Sequence, residues 1–138
     1  MKNIKQYYKE LGKLVYAVAA ADGVIQSEER DELHQFVLKE MASHEHSVDS
    51  SGMNQAFYVD FEFDATEEKH PSGAEVIKSY TRFVHGNYES NDGPLIANSL
   101  KLLEAVASAY TKSNEKNIIE NVRHEMSEIS KNILSTKK

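Results

Sequence analysis

Apolar residues recur at helical spacing along almost the whole chain, and this period constrains the fold more than any other feature. Ile4, Tyr8, Leu11, Val15, Val18 and Ala19 fall at steps of three and four. That spacing lays one apolar stripe along a helix over residues 3–21. Gly23 suits the left-handed position just past a helix end. Ser27 is an N-cap residue type, and Glu28 and Glu29 would follow in the first turn, where the helix dipole favours carboxylates. A second helix is expected over residues 28–42, with Leu33, Phe36, Val37 and Met41 inward. The polar residues 43–52 read as a loop.

Residues 53–68 fit two patterns. Phe57, Val59, Phe61 and Phe63 alternate as in a strand, while Met53, Phe57 and Phe61 step by four as in a helix. A lone strand would leave its backbone groups unpaired, so the helix is preferred. Pro71 and Ser72 open a further helix carrying Val76, Ile77, Tyr80, Phe83 and Val84. Asn91-Asp92-Gly93 is a turn, and Pro94 fits the first position of the next helix. Ile96, Leu100, Leu103, Val106, Ala107 and Tyr110 carry the period onward. Ser113 can cap a last helix striped by Ile119, Val122, Met126, Ile129 and Ile133.

Two segments look alike. Ala17-Val18-Ala19-Ala20-Ala21 and Ala105-Val106-Ala107-Ser108-Ala109 each end a helix in small residues. Each is followed by a loop and a Ser-x-Glu start, at Ser27 and Ser113. A helix-loop-helix unit is therefore used twice, in halves of roughly residues 3–42 and 94–134. One such pair cannot bury its stripes alone. The expected architecture is an all-α compact bundle of about six helices, a single domain over residues 1–138, with the middle helices packed between the two repeats.

Composition narrows the function classes. Leu, Ile, Val and Phe make up about 23% of the 138 residues, just above the ~20% below which disorder is common. The absence of cysteine excludes disulfides, thiolate zinc sites, iron–sulfur clusters and a thiol nucleophile. A formal net charge of −6 disfavours general nucleic-acid binding. The longest apolar run, Leu14–Ala21, is far short of a membrane span. Preceding lysines and Ala19-Ala20-Ala21 resemble signal-peptide anatomy. Glu10 lies close before that run, however, and a similar one recurs at Leu102–Ala109, so a cytoplasmic protein is expected.

The segment Asp22-Gly23-Val24-Ile25-Gln26-Ser27-Glu28-Glu29 holds the most chemistry. Aligned to a calcium-binding EF-hand loop with Gly23 at position six, it puts Asp22 at five and Glu29 at twelve. Val18 and Ala20 occupy positions one and three and cannot ligate. Half an oxygen set remains, so a calcium ion would need further carboxylates. Asp60, Glu62, Asp64, Glu67 and Glu68 are candidate donors. The same residues are also ordinary turn and first-turn chemistry.

Ala19-Ala20-Ala21-Asp22-Gly23-Val24-Ile25-Gln26-Ser27-Glu28-Glu29 resembles the signature of the TerB-like family, the tellurite-resistance B domain. Related domains occur in membrane-anchored J-domain co-chaperones. The resemblance covers Leu14 to Met41 well and Leu102 to Met126 more faintly. It implies an all-helical domain of two similar halves, acting as a non-enzymatic, divalent-metal-responsive module in stress-response complexes. It also implies metal ligation by Asp22 and Glu29, with Glu28 adjacent, calcium being the favoured ion, and an unidentified protein partner. In the second half Tyr110 and Thr111 stand where aspartate and glycine would be, and only Glu115 keeps register with Glu29.

Two other function classes stay open. A metal-dependent enzyme would draw on Asp31-x-x-His34, Glu67-x-x-His70 or His44-Glu45-His46. A plain helical domain would form a homodimer through the last stripe. His124-Glu125 lacks the second histidine of a zinc-protease helix, because position 128 is Glu128. No nucleophile elbow, phosphate loop or dinucleotide fingerprint is present.

Overall fold

A computed structural model describes residues 1–21, 24–109 and 119–128. Among them are six helices and no strand; one isolated bridge joins Val48 and Asn54. The helices are α1 (Ile4–Ala19), α2 (Ser27–Phe36), α3 (Tyr58–Lys69), α4 (Gly73–Asn87), α5 (Gly93–Ala109) and α6 (residues 119–128). No helix among the described residues is long and apolar enough to cross a membrane.

Helix α1 forms the middle of the bundle and packs on α3, α4 and α5. From Leu14 to Ala19 every residue is buried, so this stretch is enclosed on all sides rather than amphipathic. Small side chains permit that enclosure. At Gly12 a Cβ would lie 2.5 Å from the Val59 carbonyl oxygen, so the α1 and α3 backbones touch there. Glu10 is buried as well, and its carboxylate accepts from Ser79 Oγ of α4 at 2.7 Å and from Lys13 Nζ at 3.3 Å.

Helix α2 lies against α5, and Glu29, Leu33 and, just past its end, Val37 are buried one turn apart. It starts one residue earlier than the Ser27 cap would give, with Gln26 in the extended cap position. Its α-helical part ends at Phe36 and widens into a π-type turn over Val37–Met41. Two side chains answer carbonyls of that turn: Asn98 Nδ2 donates to Glu40 O at 3.1 Å, and Ser43 Oγ to Lys39 O at 2.6 Å.

The helix expected over 53–68 forms, but with another face inward. A short 3-10 turn at Gln55–Phe57 leads into α3, which buries Val59, Phe63 and Thr66 while Met53 and Phe61 are exposed. Ser72 caps α4 as expected, its Oγ accepting from Glu75 N at 3.2 Å. Helix α5 begins at Gly93, one residue before Pro94. Ile119, Val122 and Met126 are buried in the common core, which withdraws that part of the last stripe from any dimer. Ser113, Glu115, Ile129 and Ile133 lie outside the described residues, as does Tyr110.

Candidate functional site

The corner between α1 and α2 is built by small residues and one folded-back carboxylate. The last turn of α1 tightens, with Ala20 N bonding Tyr16 O at 2.8 Å and Ala21 N bonding Val18 O at 3.3 Å. Across the loop, Glu29 is the third residue of α2. Its Oε1 accepts from the Gln26 backbone N–H at 3.0 Å, satisfying a donor that every helix start leaves open. This bond turns the side chain over the first turn and into the interior.

Glu29 is 0% exposed, and among the described residues its Oε2 has no hydrogen-bond partner. A buried carboxylate oxygen without a partner costs about 1–3 kcal/mol or more. The α2 dipole offsets part of that, since carboxylates are favoured near helix N-termini. Among the described residues no cation pairs with it. The neighbouring Glu28 points the other way. It is exposed, and Ser27 Oγ donates to it at 3.4 Å. The structure therefore does not bring Glu28 and Glu29 together, and Asp22 and Gly23 lie outside the described residues.

The acidic stretch of α3 faces α2 farther along. Glu67 pairs with Arg30, and Asp60 Oδ2 lies 3.4 Å from His34 Nδ1. Arg30 also stands 5.7 Å from the Phe63 ring centre. Burial pushes the Asp60 carboxyl above the usual carboxylate range, with nearby Asp64 adding to the rise and His34 opposing it. Between these helices is a cavity of about 430 Å³. In the sequence, Asp31-x-x-His34 and Asp60 stand far apart. Nothing in one dimension says that one turn of α2 meets one turn of α3.

The other candidate ligands do not converge. His70 ends α3 in the left-handed region (φ 49°), with its Nδ1 3.3 Å from the Tyr16 hydroxyl, so it does not share a helical face with Glu67. His44 and His46 are exposed. Among the described residues no three histidine or acidic side chains are grouped to hold a metal ion.

A larger cavity of about 840 Å³ was not foreseen; it lies beside the π-type turn, lined by Tyr8, Met41, Glu45, Leu95, Asn98 and Lys101 among others. Burial, and then the Glu45 charge, raise the Tyr8 hydroxyl above its ordinary range.

No family model, curated protein or solved structure matches this chain. Fold and site define a class by themselves: an all-α bundle with a buried carboxylate at a helix-loop-helix corner, one oxygen of which lacks a partner among the described residues.

Proposed function

We propose that this chain is a non-enzymatic module of TerB-like type, acting in a stress response, whose α1–α2 corner takes a divalent cation, calcium before others. The single observation behind this reading is Glu29. Its buried Oε2, at a helix N-terminus, has no partner among the described residues, and a cation would supply one. The favoured ion needs six to eight oxygens, so Glu29 would act with Asp22, backbone carbonyls and water. Glu28 would join only by turning inward from solvent. A basic side chain of a protein partner would satisfy the same oxygen and is the second reading.

The test is titration of the protein with calcium, magnesium and zinc, followed by backbone amide shifts. Shifts are expected to centre on Asp22–Glu29 with calcium. Glu29→Gln keeps an oxygen for the Gln26 N–H and removes the charge, so it should abolish the calcium shifts while leaving helix content unchanged. Silence of Asp22–Glu29 toward every ion would end the cation reading and leave the basic partner.

A further inference from the structure

The face between α2 and α3 is a second candidate surface, separate from the corner. These two helices do not pack backbone to backbone. Side chains span the gap, through Arg30–Glu67 and His34–Asp60. The cavity they leave has aromatic and acidic walls. Phe57, Phe61 and Phe63 contribute rings, and Asp31, Asp60 and Asp64 contribute carboxylates. Phe61 is 49% exposed, a large apolar area for a monomer to leave in water. Leu38, four residues beyond His34, is exposed too.

Charge complementarity selects the occupant. Among the described residues the only fixed cation lining the cavity is Arg30, and Glu67 already engages it. The lysines of α1 that approach this region, Lys5 and Lys9, lie over the Tyr58 ring at 4.6 and 5.7 Å and do not line the cavity. Three carboxylates around exposed phenylalanine fit a segment offering positive charge next to an apolar anchor. An anchor on Phe61 gains buried area, and a lysine or arginine beside it finds both carboxylate and ring face.

We propose that the α2–α3 cleft docks a basic segment of a protein partner, with Phe61 as the apolar contact and Asp60 and Asp64 as the charge contacts. This rests on reading the chain as an interaction module, but not on cation binding at the corner. Docking of a positive charge would also relieve the mutual repulsion of Asp60 and Asp64, which favours the occupied cleft.

The probe is a capped peptide of alternating lysine and leucine, compared with lysine–serine and glutamate–leucine peptides. Amide shifts should fall on residues 30–34 and 57–64, and only the lysine–leucine peptide should give them strongly. Phe61→Ser should weaken binding about tenfold, as for an interface anchor. Asp64→Asn, at an exposed position, should weaken it and lower its salt sensitivity.

Equal binding of the lysine–serine peptide, shifts centred elsewhere, or no effect of either substitution would overturn the proposal. So would a concentration-dependent mass increase abolished by Phe61→Ser, which would put a second copy in the cleft. Glu29→Gln separates the two sites. Loss of the calcium response with peptide docking intact leaves the cleft standing, and a calcium response without docking leaves only the corner.

Discussion

Two residues carry more of this fold than their size suggests. Glu29 is held by one hydrogen bond and, among the described residues, left short of another, so it caps α2 at a cost in the core. Gly12 does the opposite, since its missing side chain is what allows close approach. The Val59 carbonyl occupies the place where a Cβ would stand, and Glu62 Cβ lies 3.0 Å from it. Neither neighbour is the free end of a flexible chain, so Gly12→Ala must push α1 and α3 apart. A loss of about 1–3 kcal/mol is expected, the usual cost of overpacking. Gly86 offers the control. It lies within α4 with nothing within 4 Å of its added Cβ. There Gly86→Ala should stabilise by about 0.5–1 kcal/mol through helix propensity and reduced unfolded-state freedom. Urea midpoints of both variants measure this. If the two substitutions shift the midpoint in the same direction, close approach at Gly12 is not what sets the α1–α3 distance.

Between elements, a buried hydroxyl chain locks three helices. Ser99 Oγ donates to Leu95 O at 2.9 Å within α5. Tyr7 OH of α1, 2.7 Å from Ser99 Oγ, must then donate to it, and Tyr80 OH of α4, 2.8 Å away, donates to Tyr7. Burial pushes the Tyr7 hydroxyl up to about 12, so the chain stays neutral and its donor order fixed. Removing the middle member breaks two bonds and takes the acceptor from the Tyr80 hydroxyl, while Ser99 keeps its bond to Leu95 O; removing Tyr80 OH takes away only the terminal donor. Tyr7→Phe should therefore cost roughly 2–3 kcal/mol and Tyr80→Phe about 1 kcal/mol, read from thermal or urea unfolding. Equal costs would contradict the donor order.

The positions of α1, α4 and α5 were legible because their inward residues keep a strict helical period. The burial face of α3 was not. Phe57/Phe61 and Val59/Phe63 both satisfy a step of four, and the choice was made by Gly12, which draws Val59 against α1. The corner was legible as chemistry, since Glu29 in the first turn was evident. Its burial depends on the bond back to Gln26, a detail that also moves the helix start one residue before expectation. The α2–α3 cleft was illegible for a different reason: it arises where two helices fail to pack, and periodicity reports only where they do.

At the scale of the whole molecule, two aspartates among the described residues contribute to acid stability in opposite directions. Asp49 organises the segment before α3. Its Oδ1 accepts from Ser51 N and Met53 N at 2.9 and 3.0 Å, and its Oδ2 from the Tyr58 hydroxyl at 2.6 Å. The Tyr58 bond first, then the backbone donors, hold its carboxyl below the usual range. The folded state thus binds this proton more weakly than the unfolded state. The resulting stability is present above the ordinary carboxylate value of about 3.9 and is lost as pH falls through the lowered one.

Asp60 behaves inversely, because burial raises its carboxyl. Its contribution is complete below about pH 3.9 and is lost as pH rises through the raised value. Asp49→Asn should therefore lower stability at neutral pH, with the deficit closing in acid. Asp60→Asn should raise it at neutral pH, where the charged form is penalised, with the gain also closing in acid. That substitution also removes the contact with His34, a small opposing effect, since His34 is exposed and solvent-screened polar contacts are weak. Urea midpoints for the parent and both variants between about pH 3 and pH 7 give three curves that should converge only at the acid end. A destabilised Asp60→Asn at neutral pH would mean that the His34 pair outweighs burial.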